Sequence, residues 1–161
     1  MKPIMRGPVR IDIINQMELE SLRPLVDEFI RTHNSFNFRP DYWESFFEWL
    51  NASQTSKDIL SLYAKIGVNT VGFVIGIVQK NGPLIFPEKL GYVSIMVVDK
   101  AHRGMGIGTA LWTELRSWFL SKDIEHLELY TEFGNSLSST FWENRGFTTF
   151  LERRRLPNQQ R

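Results

Sequence analysis

The sequence predicts a single α/β domain over residues 1–161, built on a mixed, twisted central sheet flanked by helices. Two strand-like runs joined by Gly67-Val68-Asn69 read as an antiparallel hairpin. A strand, a glycine-rich loop and an amphipathic helix follow in direct succession over residues 90–121, and another strand and short helix come after them. A hairpin combined with strand-helix-strand units calls for strands of mixed direction. The length of 161 residues fits one domain and suffices to bury a core without disulfide or structural metal.

In chain order, residues 9–14 alternate apolar and polar side chains, the pattern of a half-buried strand. Residues 19–32 bring Leu22, Leu25, Val26, Phe29 and Ile30 to helical spacing, with Pro24 tolerable in a first turn. Residues 34–40 read as a loop. Residues 41–52 place Trp43, Phe46, Phe47 and Leu50 on one helical face flanked by Tyr42 and Trp49. That face either packs on the core or lines part of a substrate cleft, and periodicity does not separate the two.

The hairpin strands span 59–66 and 70–79, and Asn81-Gly82-Pro83 marks a turn. A strand over 90–98 sets Tyr92, Ser94, Met96 and Val98 on one face and Val93, Ile95 and Val97 on the other. Both faces are largely apolar, as in a central strand. Ile107, Leu111, Leu115, Trp118 and Phe119 trace a helix to about Ser121, residues 125–131 alternate as a strand, and residues 136–144 form a short helix stopping at Gly146. Residues 147–156 then supply one or two closing strands.

Nineteen basic against eighteen acidic side chains give a net charge of +1, with no general bias toward nucleic acid or an anionic membrane. Apolar runs fall far short of the ~20 residues of a membrane helix, and no apolar run follows Lys2 and Arg6 as in a signal peptide. The expectation is a soluble cytoplasmic protein. The absence of cysteine removes thiolate metal ligation and a thiol nucleophile. His33, His102 and His126 are scattered without carboxylates at ligand spacing, so no metal is expected. The run Arg153-Arg154-Arg155 reads as a solvated basic face or a phosphate contact.

The chemistry concentrates in residues 97–111. Glycine at 104, 106 and 108 lets backbone N–H groups approach a ligand, and the helix start behind them adds uncommitted donors, which suits a phosphate. A nucleotide-hydrolase loop fails because Thr109-Ala110, not Lys and Ser or Thr, follow Gly108. A dinucleotide fingerprint fails on the position of its third glycine.

Arg103-Gly104-Met105-Gly106-Ile107-Gly108, together with Asn135, the short helix after it and Trp142-Glu143-Asn144-Arg145-Gly146-Phe147, resembles the paired signatures of the GNAT N-acetyltransferase superfamily. The resemblance covers most of the chain. It implies two splayed strands forming an acetyl-CoA cleft, with acetyl-CoA as co-substrate and an amine as acceptor, either a small molecule or a protein. The backbone of Met96, Val97 and Val98 would pair with the pantetheine arm. Amides of Gly104, Met105, Gly106, Ile107, Gly108 and Thr109 would hold the diphosphate, Arg103 would add charge-assisted bonds to phosphate oxygens, and Asn135 would bond the pantetheine. Dimers are frequent in the family, so the resemblance also admits a homodimer.

The implied chemistry is direct acetyl transfer, with the backbone N–H of Val97 or Val98 as oxyanion donor. The family's thiolate-protonating tyrosine position holds Trp142, whose indole donates a hydrogen bond but is no useful acid. Tyr130, Glu132 or a bound water are the substitutes. For the base, a water held by Tyr92, Ser94 or Glu132 replaces the strand carboxylate that this sequence lacks. Phe36, Tyr42 and Trp43 are the candidates for the acceptor side. The competing reading is a non-catalytic acyl-CoA sensor, which Trp142 favours.

Overall fold

The computed structural model describes residues 8–156. The chain forms two compact units, one up to Tyr130 and one from Thr131 onward.

The first unit holds a five-stranded sheet of order β1-β2-β3-β4-β5: β1 (Val9–Ile13), β2 (Ile59–Ile66), β3 (Asn69–Lys80), β4 (Lys89–Val98) and β5 (Leu127–Leu129). The first four are antiparallel neighbours and β5 runs parallel to β4, which gives the expected mixed sheet. Ile66 faces Asn69 across the β2–β3 hairpin, so Gly67-Val68 alone make the turn. Gly67 takes φ +61, the left-handed conformation that glycine adopts without a Cβ penalty.

Three helices accompany the sheet: α1 (Arg23–Thr32), α2 (Tyr42–Ser53) and α3 (Ile107–Ser121). The helical pattern of residues 19–32 resolves into a 3-10 stretch, Gln16–Leu22, followed by α1. Pro24 lies at the start of α1, where its missing N–H has no helical partner to lose. Asn15 begins the 3-10 stretch by accepting the N–H of Met17 at 3.0 Å.

Side chains of α1 and α2 cover one face of the sheet. Leu22, Leu25, Val26, Trp43 and Leu50 pack with Phe73, Ile75 and Val97 in one buried cluster. On the opposite face, Gly72, Gly76 and Gly91 clear a track for α3: a Cβ on any of them would run into Ile107, Leu111, Leu115 or Phe119. Those four side chains are at most 1% exposed. Trp112, outside the expected stripe, is buried as well, whereas Trp118 is half-buried.

Three expectations need correction. The face assignment along β4 breaks at a bulge: Ile95 faces Ile75 but Val93 faces Gly76, so Ser94 is an extra residue. Val93 therefore shares α3's face with Gly76, while Ile95 and Val97 sit on the α1–α2 face with Ile75 and Phe73. Secondly, β5 is shorter than the alternating run 125–131, because its partner strand departs beyond Val93 and residues past Leu129 have no ladder to join. Thirdly, residues 147–156 form no strand, and residues 148–156 are exposed throughout. Alternation marks a side-chain face, but an extended segment is a strand only where a neighbour takes its hydrogen bonds.

The second unit contains α4 (Ser136–Glu143). Its N-terminus is capped by Asn135 Oδ1, which accepts the Ser138 N–H at 3.1 Å. At the other end Gly146 (φ +89) reverses the chain. The Phe147 N–H reaches the Trp142 carbonyl at 3.2 Å and the Gly146 N–H reaches that of Glu143 at 2.9 Å, the paired bonds of a Schellman cap. Trp142 and Phe147 stack edge-on at 5.3 Å and form the apolar contact of the same motif.

Candidate active site

The parting of β4 and β5 defines the site. The strands pair only over Gly91–Leu127, Tyr92–Glu128 and Val93–Leu129. From Ser94 to Val98, β4 runs on beside β3 with its other edge left open by β5.

The bulge decides which backbone groups face that opening. Before it, the Gly91 N–H donates to His126 O on the β5 side at 2.8 Å. After it, the Asp99 N–H donates to Val71 O on the β3 side at 2.9 Å. Because backbone direction alternates along a strand, Val97 and Ile95 turn their N–H and C=O toward β3, and Met96 and Val98 turn theirs to the open side. Val97 was expected as an oxyanion donor; its amide is committed to the β3–β4 ladder instead. Without the extra residue at Ser94 the parity would be reversed.

Directly behind β4, a 3-10 turn (Lys100–His102) leads into the glycine loop. Gly104 (φ +76) and Gly106 (φ +83) are both left-handed, and no atom lies within 4 Å of a Cβ at either one. Gly106 is the residue before α3, and the first helical bond is the one from Ala110 N–H to Gly106 O at 2.9 Å. The amides of Ile107, Gly108 and Thr109 thus belong to the first turn, which has no acceptor within the helix. They add to the positive end of a fifteen-residue helix dipole. Left-handed glycines without Cβ atoms beside such amides fit a diphosphate.

Arg103 is more constrained than the sequence implied. Its Nε donates to Val98 O at 3.0 Å and its Nη2 to Glu28 Oε1 on α1 at 2.7 Å. The carboxylate of Asp99 meets Nδ1 of His102, which ties the 3-10 turn to the end of β4. Where β4 and β5 separate, Tyr92 and Tyr130 meet edge to face at 5.6 Å, with Tyr130 59% exposed.

On the acceptor side, the three candidates fall in different settings. Trp43 is 5% exposed and belongs to the core beside Phe46 and Phe47, so its indole is a packing group. Tyr42 is half-buried, and its hydroxyl donates to Asp27 Oδ1 at 2.8 Å. That bond raises the phenol above its ordinary pKa, with burial adding to the effect. Phe36, 46% exposed, lies in the α1–α2 loop and packs on Phe38, which in turn touches Phe29. In the second unit, Asn135 is the cap of α4 and Trp142 is 6% exposed, while Glu132 is half-buried.

The model of the acetyltransferase (GNAT) family matches residues 22–147. The chain belongs to the GNAT acetyltransferase family. No curated protein sequence matches it. Among solved structures it is similar to a mutant of the BH1408 protein from Bacillus halodurans, with 17% identity, TM-score 0.82, and 93% and 99% of the two chains covered. It is also similar to the aminoglycoside 6'-N-acetyltransferase AAC(6')-IG from Acinetobacter haemolyticus, with 14% identity, TM-score 0.75, and 94% and 99% covered. A third similar structure is the aminoglycoside N-acetyltransferase AAC(6')-Iy in complex with CoA, with 17% identity, TM-score 0.73, and 99% of each chain covered. At such identities the likeness establishes the GNAT fold.

Among the described residues, no group of three or more His, Asp or Glu side chains is arranged to hold a metal ion. No helix among them is long and apolar enough to cross a membrane. The sequence reading missed the Ser94 bulge and the Glu28–Arg103 pair. A bulge in a strand apolar on both faces leaves no break in the pattern, and an ion pair 75 residues apart has no local signature.

Proposed function

We propose that this GNAT protein is an acetyl-CoA-dependent N-acetyltransferase that moves the acetyl group directly to a primary amine. The observation that carries the reading is the edge of β4 left free of β5: the N–H and C=O of Met96 and the N–H of Val98 face it, in line with the left-handed glycines and the α3 amides. A pantetheine arm carries amides able to pair with such an edge, and its diphosphate suits residues 104–109. The similar structure of AAC(6')-Iy, which was solved with CoA, supports the same cofactor.

In the reaction, the amine nitrogen attacks the thioester carbonyl carbon as it loses a proton. The C–N bond forms, the carbonyl oxygen becomes an oxyanion, and the C–S bond breaks as the thiolate takes up a proton. With the Val97 amide facing β3, the open-side N–H groups of Met96 and Val98 are the donors for the oxyanion. Met96 lies farther from the phosphate loop and so nearer the thioester. Tyr130 is the proton source for the thiolate: its phenol is exposed and stands against Tyr92 where the strands diverge. The proton from the amine passes to a water held by Tyr92 or Ser94. Phe36 and Tyr42 shape the acceptor side.

The test is thiol release from acetyl-CoA against a panel of amines that includes aminoglycosides, small diamines and peptide N-termini. Aminoglycosides lead the panel because the names of two of the similar structures specify them. Acceptor-dependent thiol release is the expected result. Tight CoA binding with no release for any acceptor supports the acyl-CoA sensor reading, which the buried Trp142 at the usual tyrosine position favours.

A further inference from the structure

We infer that Glu28 is a positioning residue for the cofactor's diphosphate and acts through Arg103. The inference rests on the reading of residues 104–109 as the acetyl-CoA phosphate loop. Arg103 has five N–H donors on a long, flexible stem, and an arginine that must be ordered on binding loses rotamer freedom. Here two of those donors are already engaged. Nε is held by Val98 O at 3.0 Å, and Nη2 by Glu28 Oε1 at 2.7 Å. Two bonds to acceptors on different elements fix both the position and the plane of the guanidinium. Nη1 takes part in neither bond, and Arg103 directly precedes the first left-handed glycine of the loop.

The anchor is itself rigid. Glu28 is 17% exposed against 38% for Arg103, and its helix is pinned by the buried Leu25 and Val26. Its neighbour Asp27 receives the Tyr42 hydroxyl from α2. Glu28 therefore holds a cation at the end of β4 that would otherwise sample solvent, and a diphosphate arriving at the loop finds that charge already placed.

The sign of the effect separates positioning from simple electrostatics. By Coulomb's law alone, removing a carboxylate near an anionic ligand tightens binding. Positioning demands the reverse. Titration calorimetry with CoA and with dephospho-CoA, on the wild type, Glu28→Ala, Glu28→Gln, Arg103→Ala and the double variant Glu28→Ala/Arg103→Ala, provides the test. Glu28→Ala is expected to weaken both ligands about tenfold, with Glu28→Gln, which keeps an acceptor for Nη2, losing less. In the Arg103→Ala background the same Glu28→Ala change is expected to cost less than about twofold, because the group it positions is gone.

CoA bound by Glu28→Ala as tightly as by the wild type, or more tightly, overturns the inference. So do losses that simply add in the double variant, and so does a loss confined to CoA, which moves the Arg103 contact to the 3'-phosphate. Thermal melts verify folding, and if Glu28→Ala does not fold, Glu28→Gln carries the same comparison with a smaller expected loss. A wild type that binds neither ligand overturns the phosphate-loop reading itself. A wild type that binds both while Glu28→Ala is unaffected removes only the role of Glu28.

Discussion

Gly106 and Gly91 are both intolerant of a side chain, for unrelated reasons. At Gly106 there is room, since nothing lies within 4 Å of a Cβ, but φ is +83. Gly106→Val therefore introduces backbone strain without a clash, and a loss of about 1–2 kcal/mol is expected in urea denaturation. An unchanged midpoint would show that the chain reaches α3 without the left-handed residue. At Gly91, a Cβ would sit 2.7 Å from the Phe119 ring, which is fully buried and has nowhere to move. Gly91→Ala should cost about 1–3 kcal/mol by the same measurement. Asp41 offers a titration instead. The Arg39 guanidinium donates to both of its oxygens, at 2.9 and 2.8 Å, and holds the carboxyl at about 2 against an ordinary 3.8. A depressed carboxylate stabilises the folded state above the unfolded pKa, and that contribution fades as pH falls from 3.8 toward about 2. NMR titration should give an Asp41 midpoint near 2, and Arg39→Gln should return it toward the ordinary value.

At the scale of elements, the candidate site is a consequence of one strand changing step. A single extra residue at Ser94 turns Val97 toward β3, exposes Met96 and Val98, and accompanies the end of the β4–β5 ladder. Helix α4 shows a single residue acting the same way at its own end, where Gly146 allows two capping bonds and brings Phe147 onto Trp142. Gly146→Ala should destabilise α4 by about 1–2 kcal/mol, because an L side chain at φ +89 incurs the left-handed penalty. Faster amide hydrogen exchange at Asn144 to Phe147 than in the wild type is the expected signature, and unaltered exchange there would contradict the cap assignment. The cap also gives Trp142 a structural role, since its ring packs on Phe147 and its carbonyl takes the Phe147 N–H.

For the molecule as a whole, a ligand that binds only the folded state must raise its stability. At a CoA concentration about 100 times Kd the gain is roughly 2.7 kcal/mol, which for a chain of this size is a Tm rise of about 5–10 °C. Differential scanning fluorimetry should register that rise for the wild type and a much smaller one for Gly106→Val; an equal shift in both would place the ligand elsewhere. Residue periodicity alone determined the mixed α/β sheet, the β2–β3 hairpin, α3 to its terminal residues, and the glycine loop before it. These are short-range features, set by which side chains recur and where a Cβ is missing. Arg103 and its loop were legible for the same reason. The tertiary structure alone decided the phase of β4, the brevity of β5 and the lack of a strand at residues 147–156, because each depends on whether a neighbouring strand is present to take up ladder hydrogen bonds. It also decided that Trp43 is core and that Arg103 is held by Glu28, since burial and a 75-residue ion pair arise only when distant segments pack together.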